Sequence, residues 1–377
     1  MNLIIDATNI KSGGGLTHLR EILSFDFAYL NGYKNVIIFA PEHTLKQLPN
    51  KPWLIKKTHK WVNRGYFLLF LWKIFVFNRF INKNHGLIFI PGTGYSIKPY
   101  VTMCRNLLPL EYSEINRFFF SKEWIRLIIL RFIHLYSYKK AFSVIFLNTY
   151  CKKVVDEVIN IKYHSIIPHG INKIKFNKKL SKKFSKYSSN RPLKLIYVST
   201  INLYKHQWQL LKAVDQLNQE GYFIDLTLIG DKQQNAFDKL TNTLHQLKNK
   251  EKINYLGSVN YDQLQNYYSD SDVFIFASTC ETFGMVILEA MSCGLPVLCS
   301  KYSSMPSVFE NIPIYFDPFK IESIKKSIIK VYNDDKLLTH MSKKSFSFSK
   351  KFSWKTTSEK TFVYLSSISK LLINKNS

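Results

Sequence analysis

Apolar and polar positions follow two rhythms along this chain. Short, nearly continuous apolar runs read as buried strands, and longer stretches with helical spacing lie between them. In the first half the runs are Leu3–Ile5, Val36–Phe39, Leu87–Ile90, Val101–Cys104, Val144–Leu147 and Ser165–Ile167. Such alternation predicts a parallel sheet with crossover helices. A Lys- and Ser-rich stretch, Asn172–Arg191, has little apolar periodicity and reads as a linker. The rhythm then restarts with Leu193–Val198, a helix from about Lys205 to Glu220, and the runs Ile224–Ile229, Ile253–Leu256, Val273–Phe276 and Val297–Cys299. A last helical run follows Phe352-Ser353-Trp354 and reaches Leu372. The expected organisation is α/β: a first domain over 1–170, a linker over 171–192, a second domain over 193–352 and a closing segment over 353–377. Ligands of doubly wound sheets bind beyond the carboxyl ends of the strands.

The most constrained stretch is Glu281–Val297, ETFGMVILEAMSCGLPV. One glutamate stands on the loop that enters a helix, and Glu289 follows about two turns inside it. Gly294 and Pro296 end the helix, and Val297-Leu298 begins a strand. A fixed carboxylate accepts vicinal hydroxyls in pairs, and the N–H groups of a helix N-terminus suit phosphate oxygens. A core helix with two solvated glutamates is the plainer reading. It leaves Phe283-Gly284 at the helix entrance and the Gly-Leu-Pro-Val exit unexplained. The whole block, SDSDVFIFASTCETFGMVILEAMSCGLPVLCS, resembles the E-x7-E signature of the family 4 retaining glycosyltransferases, in particular members that build bacterial cell-surface polysaccharides. The resemblance implies the GT-B fold: two doubly wound Rossmann-like domains facing each other across a cleft, the first on the acceptor side and the second holding the donor.

It also implies roles for particular residues. Glu281 would contact the transferred sugar, Glu289 would accept the ribose hydroxyls, and the backbone at Phe283, Gly284 and Met285 would meet sugar and diphosphate. Gly284 lacks a side chain and so permits close approach. The junction from Tyr197 to Gln207 resembles the family's diphosphate-binding turn. Lys205 matches its lysine, but Thr200 stands where an arginine is usual, leaving Arg105 or the helix dipoles to supply the missing half of the clamp. A lysine at a helix start opposes the dipole, which favours a ligand role for Lys205 over a solvated one. Gly230, and Gly257 with Val259, resemble the nucleotide-base pocket or are plain strand-end turns. Gly13, Gly14 and Gly15, between the first strand and a helix, resemble the donor-side loop. His18 follows in that helix, structural or functional. Many relatives carry a histidine in the region occupied here by Pro91–Ser96, which contains Thr93 but no His. Acceptor-side candidates are therefore His18, Thr93, Arg105 and Glu111, and the catalytic candidates are Glu281 and Lys205. Asp270-Ser271-Asp272 is a D-x-D, a metal motif of the unrelated GT-A fold. Placed just before a strand, Asp272 reads instead as ending a helical turn. No metal or other cofactor is expected, and the donor substrate would be UDP- or GDP-linked.

Lysine and arginine number 53 against 26 aspartates and glutamates, a net charge of +27. This excess suits a phosphorylated substrate, an anionic membrane or nucleic acid, and fits biased codon usage equally well. Nucleic acid is not expected, because no RNP-type, zinc-finger or helix-turn-helix pattern is present. Tyr66–Ile81 is the longest apolar stretch, but it carries Lys73 and Arg79 and is shorter than the ~20 residues a spanning helix needs. The segments Tyr66–Arg79 and Arg117–Lys140 mix aromatic and basic residues with no clean polar face. They are core-facing helices or an attachment to an anionic bilayer. Five cysteines (Cys104, Cys151, Cys280, Cys293 and Cys299) without a C-x-x-C give neither a disulfide framework nor a zinc site. Reduced thiols, and an N-terminus whose apolar run is broken by Asp6, lead to an expected cytoplasmic location, with contact to the cytoplasmic face of the inner membrane.

The expected activity is transfer of a hexose from a sugar nucleotide to a glycan or lipid-linked acceptor, with retention, in surface polysaccharide synthesis. Two alternatives stay open at this point. One is a sugar-nucleotide epimerase or glycan phosphorylase on the same fold; the other is a non-catalytic basic protein that binds membrane or nucleic acid.

Overall fold

The computed structural model describes residues 1–172, 176 and 184–376. They form two compact units. The first comprises Met1–Leu110, Ile125–Gly170 and Phe352–Ser377, and the second Glu111–Trp124 and Ile171–Lys351.

The first unit is built on a seven-stranded sheet of order β3-β2-β1-β4-β5-β6-β7. Its strands are β1 (Asn2–Asp6), β2 (Asn35–Phe39), β3 (Leu54–Lys57), β4 (Leu87–Ile90), β5 (Tyr100–Met103), β6 (Ser143–Phe146) and β7 (His164–Ile166). Every pairing is parallel; Leu3, for example, lies opposite Val36 on one side and Leu87 on the other. Leu3, Ile4 and Ile5 are wholly buried because helices cover both faces of the central strands, which is why these strands are apolar without alternation. The periodicity did not predict β3, whose LIKK buries only Leu54. Lysines on an edge strand discourage further pairing and erase the apolar signal together. The closing helix Trp354–Asn376 belongs to this unit and packs along the helix Gly13–Leu23. Ser358 Oγ donates to Ile22 O at 2.6 Å, and Tyr33 and Ser369 share a hydrogen bond of 2.8 Å. A Cβ on Gly170 would lie 2.1 Å from Trp354 N, so only glycine passes there.

The second unit holds a six-stranded parallel sheet of order β10-β9-β8-β11-β12-β13. The strands are β8 (Leu193–Val198), β9 (Ile224–Ile229), β10 (Ile253–Tyr255), β11 (Val273–Phe276), β12 (Val297–Ser300) and β13 (Ile314–Phe316). Here too the unpredicted strand, β13, is a short half-buried edge. The helix expected from about Lys205 begins at Gln207, because His206 adopts φ 54° and separates it from a single turn, Leu203–Lys205.

The expected first domain, 1–170, needs correction. Glu111–Trp124 belongs to the second unit. Its short helix Tyr112–Ile115 buries Glu114, and the following turn places the Arg117 guanidinium over the Phe319 ring, 4.9 Å from the centroid. Much of the expected linker 171–192, namely residues 173–175 and 177–183, lies outside the described residues. The aromatic stretch near residue 70 becomes the helices Tyr66–Trp72 and Asn78–Lys83 joined by a π-turn, Lys73–Phe77. One side of it, Trp72, Phe77 and Ile81, packs on Ile4, Phe39 and Ile88. No helix among the described residues is long and apolar enough to cross a membrane.

Candidate active site

At the carboxyl end of β8 the chain makes a tight turn held by Asn202, whose side chain accepts from Leu203 N at 2.7 Å and donates to Gln233 at 2.7 Å. The turn delivers Lys205, whose ammonium is ion-paired with a Glu281 carboxylate oxygen. Lys205 also faces the rings of Tyr204 and Phe276, at 5.0 and 5.1 Å. Burial, the largest single influence, would lower the lysine's pKa, but the Glu281 charge, Tyr204, the hydrogen bond to Glu281 and Cys280 together raise it above its ordinary value. Thr279, in the loop after β11, locks the two segments together: its N–H donates to Tyr204 O at 2.9 Å, and its hydroxyl sits 3.2 Å from His206 Nε2.

Glu281 itself is held from below. Its N–H donates to Ser303 Oγ at 3.0 Å, and the same hydroxyl lies 3.0 Å from Glu281 O and 3.4 Å from Glu111 Oε1. Ser303 adopts φ 57°, a strained value for serine that this bonding supports. Glu111, expected on the acceptor side, therefore stands in the second unit beside Glu281. Burial raises the Cys280 thiol, and the carboxylates Glu111, Glu114 and Glu281 raise it further, so it stays protonated.

Gly284 opens the helix Met285–Ser292 at φ 80°, with Phe283 buried and Met285 half-buried beside it. Within the helix Glu289 is 4% exposed, and it accepts from Tyr261 at 2.7 Å and from Tyr268 at 3.4 Å. Burial, and then the Glu289 charge, push the Tyr268 hydroxyl well above its usual pKa. Gly230 and Gly257 are joined directly, N–H to carbonyl at 2.8 Å, and a Cβ on Gly230 would meet Ser199 O at 2.0 Å. Val259 is half-buried just beyond them, and Thr200 is exposed, its carbonyl accepting from Gln207 at 3.1 Å. Arg117, on the inserted segment, stacks on Phe319, which lies 4.9 Å from the ring of His206, the residue after Lys205. Asp272, from the D-x-D, accepts from Lys194 N at 3.0 Å at the amino end of β11, the end away from Glu281.

The remaining candidates lie in the first unit. Gly13 has φ 64°, and a Cβ on Gly15 would come within 2.8 Å of the Arg105 guanidinium. Arg105 donates to Pro91 O at 2.9 Å, and burial lowers its pKa to about 10. His18 is wholly buried, 5.0 Å from His169 and 5.9 Å from Trp354 between ring centroids. Burial first, then the neighbouring charges, hold His18 well below the usual histidine pKa and His169 at about 3, so both are neutral. His18 thus lies in the interior of the first unit. Thr93 is half-buried and presents its carbonyl to Asn9 Nδ2 at 2.8 Å. Sequence reading passed over a buried pair at the same sheet edge. Asp6, at the end of β1, accepts from Thr8 Oγ1 at 2.6 Å and meets the Lys73 ammonium at 2.8 Å. An acid that interrupts an apolar strand at its carboxyl end was the available signal.

Residues 178–348 match the family model of glycosyl transferases group 1. The chain carries a group 1 glycosyl transferase domain. The matched range includes Lys205, Gly284 and both glutamates of the E-x7-E block. Among curated proteins, O-antigen chain mannosyltransferase B of Escherichia coli is 35% identical over 109 residues, 29% of each chain. An uncharacterized glycosyltransferase of Methanocaldococcus jannaschii is 26% identical over 216 residues, 54% of each chain. The chain thus spans about half or less of these relatives' length. Among solved structures, sucrose-phosphate synthase from Thermosynechococcus elongatus superposes over the full length of both chains with a TM-score of 0.76 at 15% identity. Anabaena HepE, solved with UDP and glucose, gives 0.71 at 16% identity over 97% of this chain and 100% of its own. At such identity the likeness is one of fold, the two Rossmann-like domains of the GT-B glycosyltransferases.

Proposed function

We propose that this chain transfers a hexose, with retention at the anomeric carbon, from a UDP- or GDP-linked donor to a glycan or lipid-linked acceptor of a surface polysaccharide. The observation that carries the reading is the Lys205–Glu281 pair at the carboxyl ends of β8 and β11, beside the Gly284 helix entrance. The bond from the anomeric carbon to the diphosphate oxygen breaks and a bond to the acceptor oxygen forms on the same face. Lys205 and the helix amides stabilise the charge on the departing diphosphate, and the acceptor's proton passes to that phosphate. Glu281 holds Lys205 and meets the sugar hydroxyls; Glu289 takes the ribose. The scheme uses no metal, so transfer should survive a chelator. The Escherichia coli relatives are mannosyltransferases, which makes GDP-mannose the first donor to try, with UDP-glucose beside it. The test is a donor panel with mass readout on lipid-linked acceptors. Release of an epimer without any acceptor would favour the epimerase instead, and absence of nucleotide binding would favour the non-catalytic binder.

The acceptor reading includes peripheral attachment to an anionic bilayer at the cytoplasmic face. Its support is the helix Lys122–Lys140, on which Ile125, Ile129, Phe132, Ile133 and Tyr136 are all exposed. Their spacing sets them on one face, with Lys139 and Lys140 exposed at its end and +27 charges on the whole chain. Phe67, Phe70 and Phe75 of the same unit are exposed as well. Sedimentation with phosphatidylglycerol vesicles, against phosphatidylcholine alone, should retain the protein and lose the Ile129→Ser/Phe132→Ser variant.

A further inference from the structure

The buried Glu289 carboxylate accepts a hydrogen bond from a partly exposed tyrosine, Tyr261. Tyr261 opens the one-turn helix Tyr261–Gln263 on the rim beyond β10 and is 39% exposed. Its ring is partly in solvent, yet its hydroxyl turns inward to donate to Glu289 Oε1 at 2.7 Å. The Phe176 ring stands edge-on to it at 5.6 Å, and Ser292 Oγ holds Phe176 O at 2.6 Å. On the other carboxylate oxygen Tyr268 is wholly buried in the core, whereas Tyr261 is the donor with a solvent-exposed face. With Glu289 at 4% exposure, a ligand hydroxyl has to displace a bond the carboxylate already makes, and Tyr261 is its partly exposed donor.

A phenol O–H and a ribose O–H are the same kind of donor to a carboxylate, so one can replace the other. We propose that Tyr261 is a built-in substitute for a ribose hydroxyl: it occupies Glu289 in the unliganded protein, yields to the vicinal diol of a nucleoside diphosphate, and returns as the product nucleotide leaves. The proposal rests on the reading of Glu289 as the ribose acceptor. Its consequence is a weakened grip on every ribonucleotide, product included, because each must first displace an internal hydrogen bond to a charged group. That favours turnover over affinity.

The test is calorimetric binding of UDP, GDP, their 2′,3′-dideoxy forms and pyrophosphate to the full chain, to Tyr261→Phe and to Glu289→Gln. Tyr261→Phe keeps the ring and loses only the hydroxyl. It should bind the preferred ribonucleotide about tenfold more tightly while leaving the dideoxy form and pyrophosphate unchanged. An unchanged affinity overturns the proposal, as does a weaker one, which would make Tyr261 a direct ligand contact. If Glu289→Gln weakens ribonucleotide binding and Tyr261→Phe fails to strengthen it, the reading of Glu289 stands and the role of Tyr261 falls. If Glu289→Gln binds like the parent, or no nucleotide binds at all, both fall.

Discussion

The carboxyl edges of the two sheets carry comparable numbers of ions and use them differently. At the second edge Lys205 and Glu281 remain partly open, at 10% and 18% side-chain exposure, next to a helix entrance. At the first, Asp6 is 1% exposed and bound by Thr8 and Lys73, half-buried Arg105 donates to Pro91 O, and His18 and His169 are neutral in the interior. The second edge keeps charge available for a ligand. The first uses its charge to fix its own loops and offers mostly neutral groups, such as the Gly92–Gly94 backbone and Asn9. One edge therefore leaves an ion pair partly open beside a helix entrance, and the other ties its ions into its own loops.

The sharpest way to break this contrast is Lys205→Ala. It should lower sugar transfer about 100- to 1000-fold, on the scale of losing one electrostatic stabiliser of a leaving group, read as donor consumption; retained activity would move the reactive charge elsewhere. Lys73→Met should act on the fold alone. It leaves Asp6 charged and buried, at a cost of about 3 kcal/mol seen in urea unfolding, with nucleotide affinity unchanged. Acid should separate the units next. Burial holds His134 at about 4, His169 and His206 at about 3, and His18 well below normal. The unfolded chain therefore binds more protons below pH 6.5, and stability falls as pH falls through that value. Three of these histidines lie in the first unit and one in the second. By pH 6 the first unit should lose about 2 kcal/mol and the second under about 1 kcal/mol, measured as earlier proteolysis or hydrogen exchange of the first. Ser303→Ala is the smallest expected change. Loss of the hydroxyl beneath Glu281 should cost about 1 kcal/mol, roughly a fivefold fall in kcat/KM, with the fold intact.

The central strands of both sheets were legible because burial on two faces leaves no polar position in runs such as Leu3–Ile5 or Val273–Phe276. The edge β3 was not, since its lysines interrupt the run, and neither was β13, which is only three residues long. The helical segment Arg117–Lys140 was legible, but a pattern of apolar positions does not say which core the residues before and at its start join; Arg117 on Phe319 and Glu111 by Ser303 are long-range facts. The candidate site divides the same way. Glu281, Gly284 and Glu289 sit in one contiguous block whose spacing carries the signal. Tyr261, Ser303, Asp6 and Lys73 matter through partners that no local pattern announces.

The chain passes between its two units four times, at 110/111, 124/125, 170/171 and 351/352. No single cut yields two whole pieces, and a fragment beginning after residue 170 would lack the Glu111–Trp124 insert. During synthesis the second unit has all its parts once residue 351 has emerged, while the first still waits for the helix Trp354–Asn376. The half of the protein that starts assembling earliest is thus the last to be completed.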